Sequence, residues 1–279
     1  MSRSVLRQKT IGFIGAGTMG QALIQGLLAH GVPARRIVAS DASARIRRAA
    51  RRLRIRVVED NVLVAKAADL IVLAVKPQQL AEVIAQLARH VTRRHLVISI
   101  AAGITLRWLE ARLRGVAVIR VMPNLPATVG QGFAVMARGR HAGPSHRRLA
   151  AAIFSAAGEV VELPERHLNT VTAVSGSGPA YLFFFVQAWQ DAAEALGLPP
   201  AVAQRAVRRT LHGSLRLLQA AGEPPSVLIA KVASKGGTTE AALRVLARRR
   251  VAAHLAEAIR AAARRSRALS VSDLDQIQI

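Results

Sequence analysis

Residues 9–20, Lys9-Thr10-Ile11-Gly12-Phe13-Ile14-Gly15-Ala16-Gly17-Thr18-Met19-Gly20, decide how the rest of the chain is read. The first half is a short β-type run and the second half is a G-x-G-x-x-G loop. Beyond it, Leu23, Leu27 and Leu28 recur at helical spacing up to Gly31. Between a strand and a helix each glycine has its own task. Gly15 permits the tight turn, Gly17 lets a pyrophosphate approach the backbone, and Gly20 allows close helix–strand packing. The stretch therefore predicts a βα unit that holds a dinucleotide at a helix N-terminus, where unpaired N–H groups and the helix dipole favour an anion. The plain alternative is a glycine-rich turn without a ligand.

The same rhythm continues. Residues 36–40 read as a second strand ending at Asp41, about 20 residues past the glycine loop, where an acid accepts hydrogen bonds from an adenosine ribose and favours NAD. Arg45, Arg47 and Arg48 follow and suit a 2′-phosphate instead, so the two signals conflict. Residues 55–58 form a third short strand. Residues 69–75, 95–100 and 116–121 are near-continuous apolar runs, as buried parallel strands are. They end at Lys76-Pro77, Ala101-Ala102-Gly103 and Met122-Pro123-Asn124. Alternating strands and helices predict a doubly wound parallel sheet whose ligands bind beyond the carboxyl ends of the strands. Residues 132–137 and 159–163 are expected to add edge strands, with a helix over 145–157 between them. Lys76 reads equally well as a cofactor contact and as a solvated strand-end lysine.

After Pro164 the pattern becomes helical: 167–173, 179–196, 200–220, 226–233 and a long run over 238–269. The breaks are Ser175-Gly176-Ser177-Gly178, Gly197-Leu198-Pro199-Pro200 and Gly222-Glu223-Pro224-Pro225. Two domains are expected, 1–164 and 165–279. The second is apolar enough to pack on another helical surface, such as a second subunit. Ser234-Lys235-Gly236-Gly237-Thr238-Thr239-Glu240 opens its last long helix. That stretch suits a carboxylate or phosphate, or serves simply as a helix cap with Thr238 or Thr239 at the N-cap.

Composition sets limits. Hydrophobic residues are 51% of the chain, enough for a real core, whereas aromatics at 3% disfavour a base-stacking surface. The formal charge is +24, yet the arginines are scattered at helical spacing as solvated faces are, so a nucleic-acid role is disfavoured. With no cysteine, disulfides and thiol chemistry are excluded. The eight histidines lie too far apart for metal-ligand spacing, and no metal is expected. No apolar run reaches the roughly 18 residues of a membrane span, and Met1 to Lys9 lacks the apolar core of a signal peptide; a soluble, cytoplasmic protein is expected.

Together, six motifs resemble the pyrroline-5-carboxylate reductase family from Ile11 to about Leu269. They are Gly12-Phe13-Ile14-Gly15-Ala16-Gly17, Ala74-Val75-Lys76-Pro77, Ser99-Ile100-Ala101-Ala102-Gly103, Arg120-Val121-Met122-Pro123-Asn124, Ala173-Val174-Ser175-Gly176-Ser177-Gly178-Pro179-Ala180-Tyr181 and Ser234-Lys235-Gly236-Gly237-Thr238-Thr239. The resemblance implies a Rossmann domain followed by a helical dimerisation domain. It implies a homodimer, which in some members of such a family is assembled further into a decamer. It also implies hydride transfer from NADPH, or NADH, to the C=N carbon of Δ1-pyrroline-5-carboxylate, giving L-proline. By motif position, Ile14, Gly15, Ala16, Gly17, Thr18, Met19, Asp41, Asn61, Ala74, Val75, Lys76, Pro77, Ile100, Ala101 and Ala102 would meet the cofactor, with Met122, Pro123 and Asn124 near its nicotinamide. Ser234, Gly236, Gly237 and Thr238 would cradle the substrate carboxylate, Thr239 would hydrogen-bond the ring nitrogen, and Glu223 would line the pocket.

Departures from the family pattern are Lys235 for Pro, Leu125 for Thr, Thr18 for Asn, Asn169 for Asp, and Asp41-Ala42 where Asn or Ser followed by Arg is common. The β-hydroxyacid dehydrogenases share the architecture but use a lysine on the first long helix of the second domain. Residues 179–196 contain none.

Overall fold

The structure, a computed structural model, describes residues 4–275. Contacts divide the chain into two compact units. One comprises the chain up to Ser177 together with the segment from Ala262 onward; the other is Gly178–Ala261. The sequence boundary at 164/165 marks where strands give way to helices, whereas packing keeps the next turns, and the end of the last helix, with the sheet.

The first unit is built on eight strands: β1 (Ile11–Ile14), β2 (Ile37–Ser40), β3 (Arg56–Val58), β4 (Leu70–Leu73), β5 (Leu96–Ser99), β6 (Ala117–Met122), β7 (Gly132–Arg138) and β8 (Gly158–Glu162). They lie in the order β3-β2-β1-β4-β5-β6-β7-β8. The first six are parallel; β7 runs antiparallel to β6 and parallel to β8. Of the two late strands expected at an edge, β8 is there, but β7 lies inside, paired on both flanks. Its apolar run Ala134 to Ala137 is correspondingly buried.

The interleaved helices are α1 (Thr18–Ala29), α2 (Ala44–Arg51), α3 (Asn61–Ala67), α4 (Pro77–Leu87), α5 (Leu106–Arg112) and α6 (Pro144–Phe154). Ser43 caps α2 and Asp60 caps α3, each side chain accepting a first-turn N–H. Strands β1, β2, β4 and β5 are buried at every position, which is why they read as unbroken apolar runs. Phe13, Ile11 and Leu23 pack one face and Ile14, Ile71 and Trp108 the other. Each such side chain stabilises the fold by about 1.5–3 kcal/mol.

Past β8, the short α7 (Leu168–Val171) runs into a single π-helical turn, Thr172–Gly176. Of Ser175-Gly176-Ser177-Gly178, expected as a break, Ser175 and Gly176 end the π-helical turn, Ser177 is a bend between it and the next helix, and Gly178 begins that helix. A methyl at Gly176 would lie 2.7 Å from the flexible end of the Met122 side chain, so this turn lies close to the end of β6. Asn169, where the family pattern has Asp, accepts hydrogen bonds from Ser266 (3.0 Å) and Ser270 (3.3 Å), two buried hydroxyls of the last helix. Two neutral donors suit a neutral amide oxygen.

The second unit is helical: α8 (Gly178–Ala195), α9 (Pro200–Ala221), α10 (Pro225–Val232), α11 (Thr238–Arg248) and the start of α12 (Val251–Asp275). The expected single helix over 238–269 is two. It breaks at Arg249–Arg250, with Arg250 at a left-handed φ of 52°. Consecutive Arg248, Arg249 and Arg250 carry charge but no apolar side chain to bury, so nothing there holds the chain helical through the turn. No helix among the described residues is long and apolar enough to cross a membrane.

Candidate active site

Strand β1 lies between β2 and β4, so the order of connection reverses there and a crevice opens beyond the carboxyl ends of β1 and β4. Parallel register places Ser40, Ile14, Leu73 and Ser99 in one row across the sheet. The residues after them line that edge, as the strand ends predict. A crevice of about 390 Å³ is walled by Gly15, Gly17, Asp41, Ala42, Ser43, Asn61, Ala74, Val75 and Lys76, among others. A second, of about 410 Å³, shares Gly17 and adds Thr18, Gln21, Arg45 and Thr128. Every wall residue of both belongs to the first unit.

The glycine loop is built for close approach. Gly15 has φ +93°, and a Cβ there would meet the Ala74 carbonyl at 2.6 Å, so the loop lies directly on the end of β4. At Gly17 a Cβ would meet nothing within 4 Å, so its backbone faces open space. Gly17 caps α1 without any side-chain bond, and no acidic residue lies in the first turn. The N–H groups of Thr18, Met19 and Gly20 therefore have neither an intrahelical partner nor a side chain competing with a ligand. These features fit a dinucleotide pyrophosphate.

Two side chains grip the Ala16 peptide. Its N–H donates to Asp41 Oδ2 (2.9 Å) and its carbonyl accepts from Gln21 Nε2 (2.7 Å). Asp41 Oδ1 also accepts the Ser43 N–H at 2.9 Å. Arg47 donates to the carbonyls of Asp41 (2.8 Å) and Ala42 (2.9 Å) and pairs with Glu59. Asn61 accepts from Ser40 Oγ at 2.7 Å and donates to Gln86 at 2.8 Å. Sequence reading passed over Gln21; its one signal is an amide in the first turn after the glycine loop.

The other strand ends differ in what they leave available. Lys76 caps α4 and is exposed, with Pro77 as first residue of the helix. Ile100 and Ala102 are partly exposed and Ala101 is buried. Met122 is partly exposed and Pro123 buried. Asn124 is held inside the fold: its Oδ1 accepts the Phe133 N–H (2.8 Å) and its Nδ2 donates to the Ser175 carbonyl (3.3 Å). It ties the end of β6 to β7 and to the π-helical turn. Two residues earlier on β6, buried Arg120 pairs with Glu165 at 2.9 Å, and Glu165 also accepts the Leu106 N–H at 2.7 Å.

In the second unit, residues 234–240 form a tight turn into α11. Gly237 is the N-cap, so neither Thr238 nor Thr239 caps the helix; both are first-turn residues. The Gly237 N–H donates to the Ser234 carbonyl at 3.0 Å. The Gly236 N–H donates to Glu240 Oε2 at 2.5 Å, and Glu240 also pairs with Arg244 at 2.7 Å. The Arg244 hydrogen bond, with that from Gly236, holds the Glu240 carboxyl below the usual carboxylate range. Two N–H groups expected for a bound carboxylate are thus engaged within the turn. Those of Thr238 and Thr239 lie in the orphan first turn. Glu240 itself was not anticipated, although an acid in a helix's first turn is a recognised capping signal. Lys235 and Thr238 are exposed and Thr239 is half-buried. Glu223 pairs with Lys231 at 2.6 Å.

Comparison with known proteins agrees with this geometry. Residues 165–269 match the family model described as pyrroline-5-carboxylate reductase dimerisation, and residues 10–103 that described as NADP oxidoreductase coenzyme F420-dependent. Pyrroline-5-carboxylate reductase of Synechocystis is 41% identical over 93% of this chain and 97% of its own. That of Methanosarcina acetivorans is 38% identical over 95% and 99%. The structure of a pyrroline-5-carboxylate reductase from Coxiella burnetii superposes with a TM-score of 0.86 at 33% identity, covering 94% of this chain and 98% of that one. That of the Plasmodium falciparum pyrroline carboxylate reductase with NADP bound also gives 0.86, at 26% identity, over 95% and 99%. On the strength of the full-length identities, this chain belongs to the pyrroline-5-carboxylate reductase family.

Proposed function

We propose that the protein reduces Δ1-pyrroline-5-carboxylate to L-proline with a reduced nicotinamide dinucleotide, NADPH or NADH, as the last step of proline biosynthesis. The observation that carries this reading is the unblocked start of α1 behind Gly15-Ala16-Gly17 at the reversal point of the sheet, in a chain of this family. The bound cofactor supplies the hydride. The protein supplies orientation: much of the rate of such a transfer comes from holding two reactants face to face.

In the first unit, the N–H groups after Gly17 hold the pyrophosphate, Asp41 and Asn61 border the adenosine ribose, and Lys76 borders the phosphates. Ile100 to Ala102 and Met122 shape the nicotinamide end, with Asn124 fixing the loop behind it. In the second unit, the first-turn N–H groups of α11 receive the substrate carboxylate. The Thr239 hydroxyl orients the imine nitrogen. A threonine is too weak an acid to protonate that nitrogen, so the iminium arrives protonated or takes its proton through water. Residues 165–279 act as the dimerisation and substrate-binding domain, and the assembly is a cytoplasmic homodimer that can build up to a decamer. The exposed Phe183, Phe184 and Trp189 support the dimer.

The test is oxidation of NADH and of NADPH, followed at saturating pyrroline-5-carboxylate. Turnover with at least one is expected; none with either would refute the reading.

A further inference from the structure

Asp41 follows directly on β2 at the wall of the crevice, and the residue after it is the exposed Ala42. Three observations bear on what this carboxylate does. First, the carboxylate is immobilised, because Oδ2 holds the Ala16 N–H and Oδ1 the Ser43 N–H, both at 2.9 Å. It cannot swing away from the crevice it lines without releasing the glycine loop. Second, among the described residues no cation forms an ion pair with it. Arg47, the cation that reaches this turn, gives its guanidinium to the Asp41 and Ala42 carbonyls and to Glu59, and its side chain is only 11% exposed. Third, Arg45 lines the other crevice, beside Gly17 and Thr18, while Ala42 offers no polar group.

A carboxylate with two fixed N–H donors keeps lone pairs for ribose hydroxyls. A phosphate on the same ribose would meet a fixed like charge in a partly desolvated site, and such juxtaposition is strongly unfavourable. We propose that Asp41 makes this crevice select the dinucleotide with a free 2′-hydroxyl, so that NADH is preferred over NADPH. The proposal rests on the dinucleotide reading of the site. It removes Arg47 from the conflict between Asp41 and its neighbouring arginines, because the structure shows that guanidinium committed elsewhere, and leaves Arg45 as the rival for a 2′-phosphate.

The experiment is titration of the purified protein with NADH and with NADPH, without substrate, followed by nicotinamide fluorescence. The wild type should bind NADH at least about tenfold more tightly. Ala42→Arg, at an exposed position, should bring the ratio to about one or reverse it. Asp41→Asn should also narrow the ratio, while weakening both cofactors through loss of one loop bond. Thermal unfolding of each variant confirms that it is folded. NADPH binding as tight as NADH in the wild type, with Arg45 then carrying the 2′-phosphate, would overturn the proposal. So would a ratio unmoved by both substitutions. If neither dinucleotide binds, the site reading fails and the preference with it. If NADH is selected but pyrroline-5-carboxylate is not reduced, the preference stands and the proposed reaction is wrong.

Discussion

The sheet unit and the helical unit are made of similarly apolar sequence, and they bury it very differently. In the sheet unit Phe13, Ile14, Ile71 and Leu73 are all 0% exposed. In the helical unit α8, α10 and α11 have no buried residue, and α9 has two, Ala203 and Val207. Phe184 is 70% exposed, Phe183 58% and Trp189 47%. A monomeric soluble protein rarely shows so many large apolar groups on one unit. The sheet unit carries its own core, whereas the helical unit leaves its core to be completed by another copy of the chain, in keeping with its dimerisation-family match.

Five measurements break or sharpen that contrast. Phe13→Ala should destabilise by about 3–5 kcal/mol, as a large void in a closed core does. Its denaturation midpoint should not depend on protein concentration more than that of the wild type. Phe184→Arg should do the reverse. It should leave the circular dichroism of the sheet unit intact but lower the molar mass seen by light scattering, through loss of about 2 kcal/mol or more of association energy. If both variants behave alike, the two-core picture is wrong.

The remaining tests compare the two ligand sites. Gly15→Ala places a methyl 2.6 Å from the Ala74 carbonyl at φ +93°. Strain of about 1–3 kcal/mol should raise the cofactor Kd by up to about a hundredfold, read by fluorescence titration. Thr239→Val should cut kcat/KM for the imine by about twofold to tenfold, the value of one hydrogen bond of about 0.5–1.5 kcal/mol, and leave the cofactor Kd unchanged. An unaltered kcat/KM would remove Thr239 from the reaction. Glu240→Ala should have the smallest effect. It frees the Gly236 N–H and removes a negative charge, so substrate KM should fall by about twofold to threefold. Because the Glu240 carboxyl is held below the usual range, it stays charged until the pH falls through that lowered value. The difference from wild type should therefore stay constant over about pH 6 to 8.

Most of the sheet unit could be read directly. A buried parallel strand must be apolar at every position, so residues 70–73 and 96–99 announce themselves. The glycine loop could be placed because strand, turn and helix start are contiguous. The misreadings fall where distant contacts intervene. β7 was expected at the edge, since nothing local reveals that β8 would pair outside it. The helix over 238–269 was read through Arg249–Arg250 because its apolar period continues on both sides. Ser175-Gly176 has the composition of a loop but ends a π-helical turn against Met122. In each case the pattern within the segment was sound and its partner lay elsewhere in the chain.

Periodicity and spacing are local properties, and they sufficed for the fold class and for the strand–glycine loop–helix unit. The use of each polar group is not local. Whether Arg47 meets a ligand or the Ala42 carbonyl, whether Asn124 faces outward or ties β6 to the π-helical turn, and whether the Gly236 N–H is open or held by Glu240 depend on which atoms folding brings within hydrogen-bonding distance of each other. A hydrogen bond is directional and of short range, so residue type states what a group can do and three-dimensional packing alone selects what it does.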